Sequence, residues 1–175
     1  NVVVTVLHGK GMRQDISVMG MTGYEIVTPT EGWDFMPFQG QTEPEAKTAE
    51  ELAEITLLVA KEVKMFNIVP KIAMLSYSNF GSSNSPESNL VRKARAIVKQ
   101  KDSSLICDGE IQGILAFNKE ILKENYPFTE LLNGEVNTLI FPNLAAGNIA
   151  YNLLQEVAGT DSIGPILLGL KKPVH

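Results

Sequence analysis

Pro70-Lys71-Ile72-Ala73-Met74-Leu75-Ser76-Tyr77-Ser78-Asn79-Phe80-Gly81-Ser82-Ser83 falls into two halves of opposite chemistry. Residues 72–75 are a short apolar run behind a proline, which predicts a strand buried on both faces of a parallel sheet. Residues 76–83 are mostly small and hydrogen-bonding, and they stand where the chain leaves the carboxyl end of that strand. Ligands of open α/β sheets sit outside the carboxyl ends of strands, beside the amino ends of the helices that follow. Ser76, Ser78, Asn79, Gly81 and Ser82 are therefore the first candidate ligand-binding residues. The competing reading is structural, because a turn takes Gly, Asn and Ser for backbone geometry alone. No Gly-Lys-Ser or Gly-Lys-Thr is present in the loop, which speaks against a P-loop for nucleoside triphosphates.

At 175 residues the chain suits one α/β domain, residues 1–175, rather than two. Apolar residues make up 44% and charged residues 20%, the balance of a globular protein with a substantial core. A net charge of -5 argues against a nucleic-acid surface, which takes clustered Lys and Arg. No apolar run approaches the roughly 20 residues of a membrane span, and no secretory leader pattern opens the sequence. Cys107 stands alone, so an internal disulfide is excluded, and with His8 and His175 the only histidines no Cys/His zinc site is expected. Cytoplasmic residence is the default expectation. The immediate start on a strand and the ending Lys-Lys-Pro-Val-His suggest a piece of a longer chain.

Upstream of the opening stretch, Thr48 and Glu51 spell a capping box. Leu52, Ile55, Val59, Val63 and Phe66 then recur at three- and four-residue spacing, predicting a helix over 49–66 with one buried stripe and a solvated charged face. Downstream, Ser85-Pro86-Glu87 suits a helix start, with Ser as cap and Pro at the first helical position. Val91, Ala94, Ile97 and Val98 are its expected inner side, and Arg92, Lys93, Arg95 and Lys99 its outer one, a solvated face or a source of cations for an anionic ligand. Residues 105–107 read as a strand ending in Asp108-Gly109-Glu110. The two acids suit acid/base or metal chemistry, or else Asp108 caps the next helix and Glu110 occupies its first turn; the structural alternative is favoured, since no third ligand stands nearby.

Residues 118–126 read as a short helix, 127–134 as a loop and 136–141 as a buried strand stopped by Pro142. Asn143 opens a helix through residues small enough for close approach, with Ile149, Leu153, Leu154 and Val157 as its expected apolar side. Asn143 and Asn148 complete the candidate ligand-binding set. Residues 163–169 read as a last strand. At the amino end, residues 2–7 read as a buried strand, His8-Gly9-Lys10-Gly11 as a glycine turn, and 16–21 and 24–28 as two strands forming a candidate hairpin. Residues 29–47 read as an ordered loop in which Trp33, Phe35, Met36 and Phe38 cluster against the sheet or a partner subunit. Alternating strands and helices imply parallel β-α-β units throughout.

Four segments, in order, resemble the phosphate acetyl/butyryltransferase family: residues 70–83; Asp108-Gly109-Glu110-Ile111-Gln112; Asn137-Thr-Leu-Ile-Phe-Pro-Asn-Leu-Ala-Ala-Gly-Asn-Ile-Ala-Tyr151; and Ile163-Gly-Pro-Ile-Leu-Leu-Gly-Leu-Lys-Lys-Pro-Val174. The similarity covers residues 48–175; residues 1–47 match poorly. The resemblance implies an α/β, three-layer domain with a mostly parallel sheet flanked by helices, phosphotransacetylase-like and of isocitrate/isopropylmalate-dehydrogenase-like architecture. Leu75 to Ser82, Tyr126-Pro-Phe-Thr129 and the ending Lys172-Pro-Val-His175 are similar to the phosphotransacetylase-like domain at the carboxyl end of bacterial NADP-dependent malic enzymes. The family moves an acyl group between phosphate and the thiol of coenzyme A, which takes cations for phosphate and a base for the thiol. Stand-alone transferases continue beyond the Pro-Val matched here into an Asp-Leu-Ser-Arg-Gly segment, and none of the matched residues replaces its serine, arginine and base. The resemblance therefore implies a domain without catalytic residues or resident cofactor, binding acetyl-CoA, CoA or phosphate and joining a homo-oligomer. A fragment of an active phosphate acetyltransferase is the rival expectation, and an interaction domain without a small-molecule site a third.

Overall fold

The computed structural model describes residues 3–6, 17–22, 48–158 and 162–168. The glycine turn after His8, residues 24–28, the aromatic cluster of 29–47 and the ending 169–175 lie outside the described residues. Among those described, strands β1 (Val3–Val6), β2 (Ser17–Thr22), β3 (Lys71–Leu75), β4 (Ile106–Ile111), β5 (Thr138–Ile140) and β6 (Ser162–Leu168) form one sheet in the order β4-β3-β5-β1-β2-β6. β3 pairs in parallel with β4 and with β5, and β2 with β6, whereas β1 is antiparallel to both β5 and β2. The sheet is thus mostly parallel, as expected, but not built of β-α-β units throughout. The reason is local: residues 7–16 are the only link from β1 to β2, and a parallel return takes a crossover of a dozen residues or more.

Helices α1 (Ala49–Met65) and α2 (Pro86–Lys101) cover one face of the sheet. Leu52, Val59, Val63, Val91, Ala94 and Val98 meet Ile72, Met74, Cys107 and Ile140 there. The capping box of α1 is formed: the Glu51 N–H donates to Thr48 Oγ1 and the Thr48 N–H to Glu51 Oε2, each at 3.1 Å. Asn67, at φ 59°, ends the helix in the left-handed region, its N–H donating to the Lys64 carbonyl. Phe66, read as the last residue of the buried stripe, is instead the exposed cap position.

The opposite face is covered by α3 (Gly113–Ala116), α4 (Lys119–Asn125), a 3-10 turn (Glu130–Asn133) and α5 (Leu144–Ala158). Leu115, Leu122 and Leu131 pack there on Ala73, Leu75, Ile111 and Leu139, giving the three layers. The 3-10 turn occupies a segment expected to be plain loop. The orientation of α5 also differs from expectation. Ala146, Ala150 and Tyr151 pack inward, while Ile149, Leu153 and Val157 are 62%, 58% and 83% exposed. The helix is apolar on most of its circumference, so periodicity selects the larger side chains, but the small ones let it approach the sheet. No helix among the described residues is long and apolar enough to cross a membrane.

Candidate functional site

The connections after β3 and β5 leave on opposite faces: α2 packs with the α1 layer and α5 with the other. Neighbouring parallel strands whose connections diverge in this way define the point at which open α/β sheets hold ligands. The turn 76–83 and Asn143 flank that point. Asn143 Oδ1 accepts from the Ala146 N–H at 2.8 Å, and its Nδ2 lies 3.4 Å from Glu87 Oε1 in the first turn of α2, reaching from one side to the other. Asn148 is not part of this cluster; it is exposed on α5, paired with Asn152.

The turn is held partly from within and mainly from β4. The Ser76 N–H donates to the Ile111 carbonyl, the Ser82 N–H to the Asn79 carbonyl, and the Asn79 N–H to Ser82 Oγ. Phe80 (φ 42°) and Gly81 (φ 93°) are consecutive left-handed residues. That region is open to glycine but costs a bulky side chain about 1–2 kcal/mol. Their two N–H groups converge on one residue: the Phe80 N–H donates to the Glu110 carbonyl and the Gly81 N–H to Glu110 Oε1, both at 2.8 Å. Ser78, itself buried, donates to the same carboxylate oxygen at 3.1 Å and lies 2.9 Å from Ser88 Oγ. Ser76 Oγ sits 3.4 Å from the hydroxyls of both Ser78 and Ser88. Asn79 exchanges two bonds with Gln112, donating to its side chain at 3.0 Å and accepting from its N–H at 2.8 Å.

Glu110 is fully buried, and its charge is answered by Arg92. The guanidinium places Nε 3.0 Å from Oε2 and Nη2 3.0 Å from Oε1, and Nη2 also donates to the Ser83 carbonyl at 2.8 Å. Burial is the largest influence on the carboxyl and acts to raise its pKa. The bonds from Arg92, from the Gly81 N–H and from its own N–H, with the Arg92 charge, outweigh it and hold the group below the ordinary carboxylate range. The same bond to Glu110 raises the Arg92 pKa.

Asp108, two residues earlier, has the same burial but a different client. It accepts from Thr129 Oγ1 at 2.7 Å and from the Glu130 N–H at 3.1 Å, and pairs with Arg95 at 3.0 Å. Lys99 completes the row at 2.8 Å from Glu130. Both acids therefore lie in β4 rather than in a helix entry, and Arg92, Arg95 and Lys99 are drawn into ion pairs rather than standing on a solvated face. Gly109 between the acids has φ 146°, and a Cβ there would lie 2.4 Å from the Met74 carbonyl oxygen. Only glycine permits this approach of β4 to β3. Cys107 is buried, and burial, with the Asp108 charge second, pushes its thiol up to about 12, which leaves it inert. Among the described residues no three His, Cys, Asp or Glu side chains stand together to hold a metal ion.

Chemically, this is a rigid turn rather than an open anion cradle, since both N–H groups of its convergent pair are already taken, that of Gly81 by the Glu110 carboxylate and that of Phe80 by the Glu110 carbonyl. The side chains of Tyr77, Ser82 and Asn143 remain at its surface. Sequence reasoning missed Glu110, Arg92 and Gln112 as organisers of the turn. The available signal was Asp108-Gly-Glu-Ile-Gln read as a strand, which puts charged residues into a buried element.

The sequence pattern of phosphate acetyl/butaryl transferase matches residues 41–175. The chain belongs to that family. Over 128 residues, 73% of the chain, it is 46% identical to the NADP-dependent malic enzyme of Haemophilus influenzae, of which this span is 17%. Over 130 residues, 74% of the chain, it is 41% identical to the phosphate acetyltransferase of Bacillus subtilis, covering 40% of that protein. The fold superposes on the phosphotransacetylase of Streptococcus pyogenes with a TM-score of 0.74 at 33% identity, covering 98% of this chain and 46% of the other. The chain thus spans less than half of these relatives, and the region it matches occurs in malic enzymes and in phosphate acetyltransferases alike.

Proposed function

We propose that this domain is a non-catalytic acetyl-CoA-binding and subunit-association module of a malic enzyme, with the ligand received at the carboxyl edge of β3 and β5. The observation that carries the reading is the commitment of Arg92. Acyl transfer to or from phosphate takes a cation free to meet the phosphoryl oxygens, and the cation beside the turn is bound to Glu110 and the Ser83 carbonyl. The 46% identity to a malic enzyme agrees with this reading but is equalled by that to a phosphate acetyltransferase of Buchnera aphidicola, so the choice rests on Arg92. As a regulator, acetyl-CoA must prefer one of two arrangements of the assembly, since a ligand indifferent to both shifts neither.

The rival reading, a part of an active phosphate acetyltransferase, is favoured by the 41% identity to the Bacillus subtilis enzyme. One pair of measurements on the parent protein that carries this domain separates them. Acetyl phosphate and CoA are expected to give no acetyl-CoA above background, and calorimetry with acetyl-CoA is expected to show saturable binding. Turnover on the order of 10 per second, an ordinary enzymatic rate, overturns the non-catalytic reading; absence of binding heat overturns the ligand.

A further inference from the structure

We infer that Glu110 is the positioning residue of the 76–83 turn: through Ser78, Gly81 and Arg92 it fixes the surface that the ligand meets, without touching the ligand itself. In its affinity arm this rests on the acetyl-CoA reading above; in its structural arm it does not.

The geometry singles Glu110 out. Its carboxylate accepts from the Ser78 hydroxyl and the Gly81 N–H, its carbonyl accepts from the Phe80 N–H, and Arg92 extends the hold to the Ser83 carbonyl. Residues 78, 81 and 83 are thereby tied, directly or through one guanidinium, to a single side chain of a different strand, and residue 80 to the backbone of the same residue. Left-handed Phe80 is a conformation the chain would leave if released, because a non-glycine residue there is strained. A turn already held in its bound shape loses less freedom on binding, so affinity depends on the hold. Asp108 supplies an internal control. It is buried in the same strand and paired with an α2 arginine, but its bonds go to Thr129 and Glu130. A purely structural role for the ion-paired row makes the two acids equivalent; the positioning role does not.

The test compares Glu110→Gln with Asp108→Asn in the protein that carries this domain, reading amide hydrogen exchange in residues 76–83 and 129–133 and the Kd for acetyl-CoA. Glu110→Gln is expected to speed exchange in 76–83 and raise Kd about tenfold, leaving 129–133 near wild type; Asp108→Asn is expected to do the reverse in exchange and leave Kd within about twofold. Should Glu110→Gln fold poorly, Arg92→Lys answers the same question, because it keeps the charge but loses the fork that spans carboxylate and Ser83 carbonyl. Unchanged exchange in 76–83, or equal effects of the two acids on the turn, overturns the inference. If wild type binds no acetyl-CoA, the ligand reading falls and the exchange comparison still decides the role of Glu110.

Discussion

The two chain segments that leave the sheet beside each other, residues 76–83 after β3 and residues 141–146 after β5, are held by different means. The first is mostly small hydrogen-bonding residues, and the second, Phe-Pro-Asn-Leu-Ala-Ala, carries one such residue, Asn143. The second is closed locally, by Asn143 capping the N–H of Ala146 three residues on. The first is closed from a distance, by a buried carboxylate 29 residues beyond Gly81 and a guanidinium from the intervening helix. The lesson is that a short-range turn leaves its dependence in neighbouring letters, whereas a turn fixed through tertiary contacts leaves it in another strand. Substitutions should therefore hurt the two segments unequally, and by amounts that rank in a definite order.

The largest effect is expected where β4 is brought against β3. Gly109→Ala places a Cβ 2.4 Å from the Met74 carbonyl oxygen at φ 146°, and clash plus backbone strain cost about 4 kcal/mol or abolish folding. Gly113→Ala is the counterpart, with nothing within 4 Å of its Cβ, and is expected to be neutral or stabilising by about 0.5 kcal/mol. Urea unfolding of both variants checks the pair; a mild Gly109→Ala would show that the two strands can move apart.

Next comes Arg92→Ala, which strips the cation from a fully buried Glu110. Leaving a buried charge uncompensated costs about 3 kcal/mol, and the loss should come with faster amide exchange in 76–83. The parallel change at the other segment, Asn143→Ala, removes a cap and a long, exposed contact to Glu87 and is expected to cost about 1 kcal/mol. Equal losses in equilibrium unfolding would erase the distinction between the two closures.

Acid sharpens the same contrast. The folded Glu110 carboxyl sits below its ordinary range, so the unfolded chain binds its proton more readily. Stability from this group is complete above the unfolded carboxylate pKa, about pH 4, and is lost as pH falls through the lower folded value. Glu110→Gln should flatten that part of the stability profile, while Asn143→Ala should shift the whole profile without changing its slope. A wild-type slope surviving in Glu110→Gln would assign the acid sensitivity to other carboxylates.

These contrasts also explain what was legible beforehand. Thr48, Glu51, Ser85 and Pro86 announced α1 and α2 because capping is a local chemistry. The apolar runs 72–75 and 136–141 announced the parallel strands. The burial of Asp108 and Glu110 was not legible, since acids beside a glycine look like a helix entry until partners from α2 and Thr129 neutralise them. Ser78 could be singled out but not its direction: it faces inward to Glu110 rather than outward to a cleft. The antiparallel run of β1 was hidden because a β-branched strand reads the same in either direction.

The smallest effect is expected on α5, beyond Asn143. Ile149, Leu153 and Val157 have the sequence look of core residues and more than half of each surface exposed. Changing any one to Ser removes little buried apolar area, so the dilute chain should keep its stability within about 0.5 kcal/mol. Ala150→Ser is the instructive partner, because it lies on the face turned toward the sheet and puts a hydroxyl there, a greater cost despite the smaller change in volume. Unfolding at two protein concentrations gives the comparison its edge. If Leu153→Ser destabilises only at the higher concentration, the outer stripe is covered by association, and the helix would carry two packed faces instead of one.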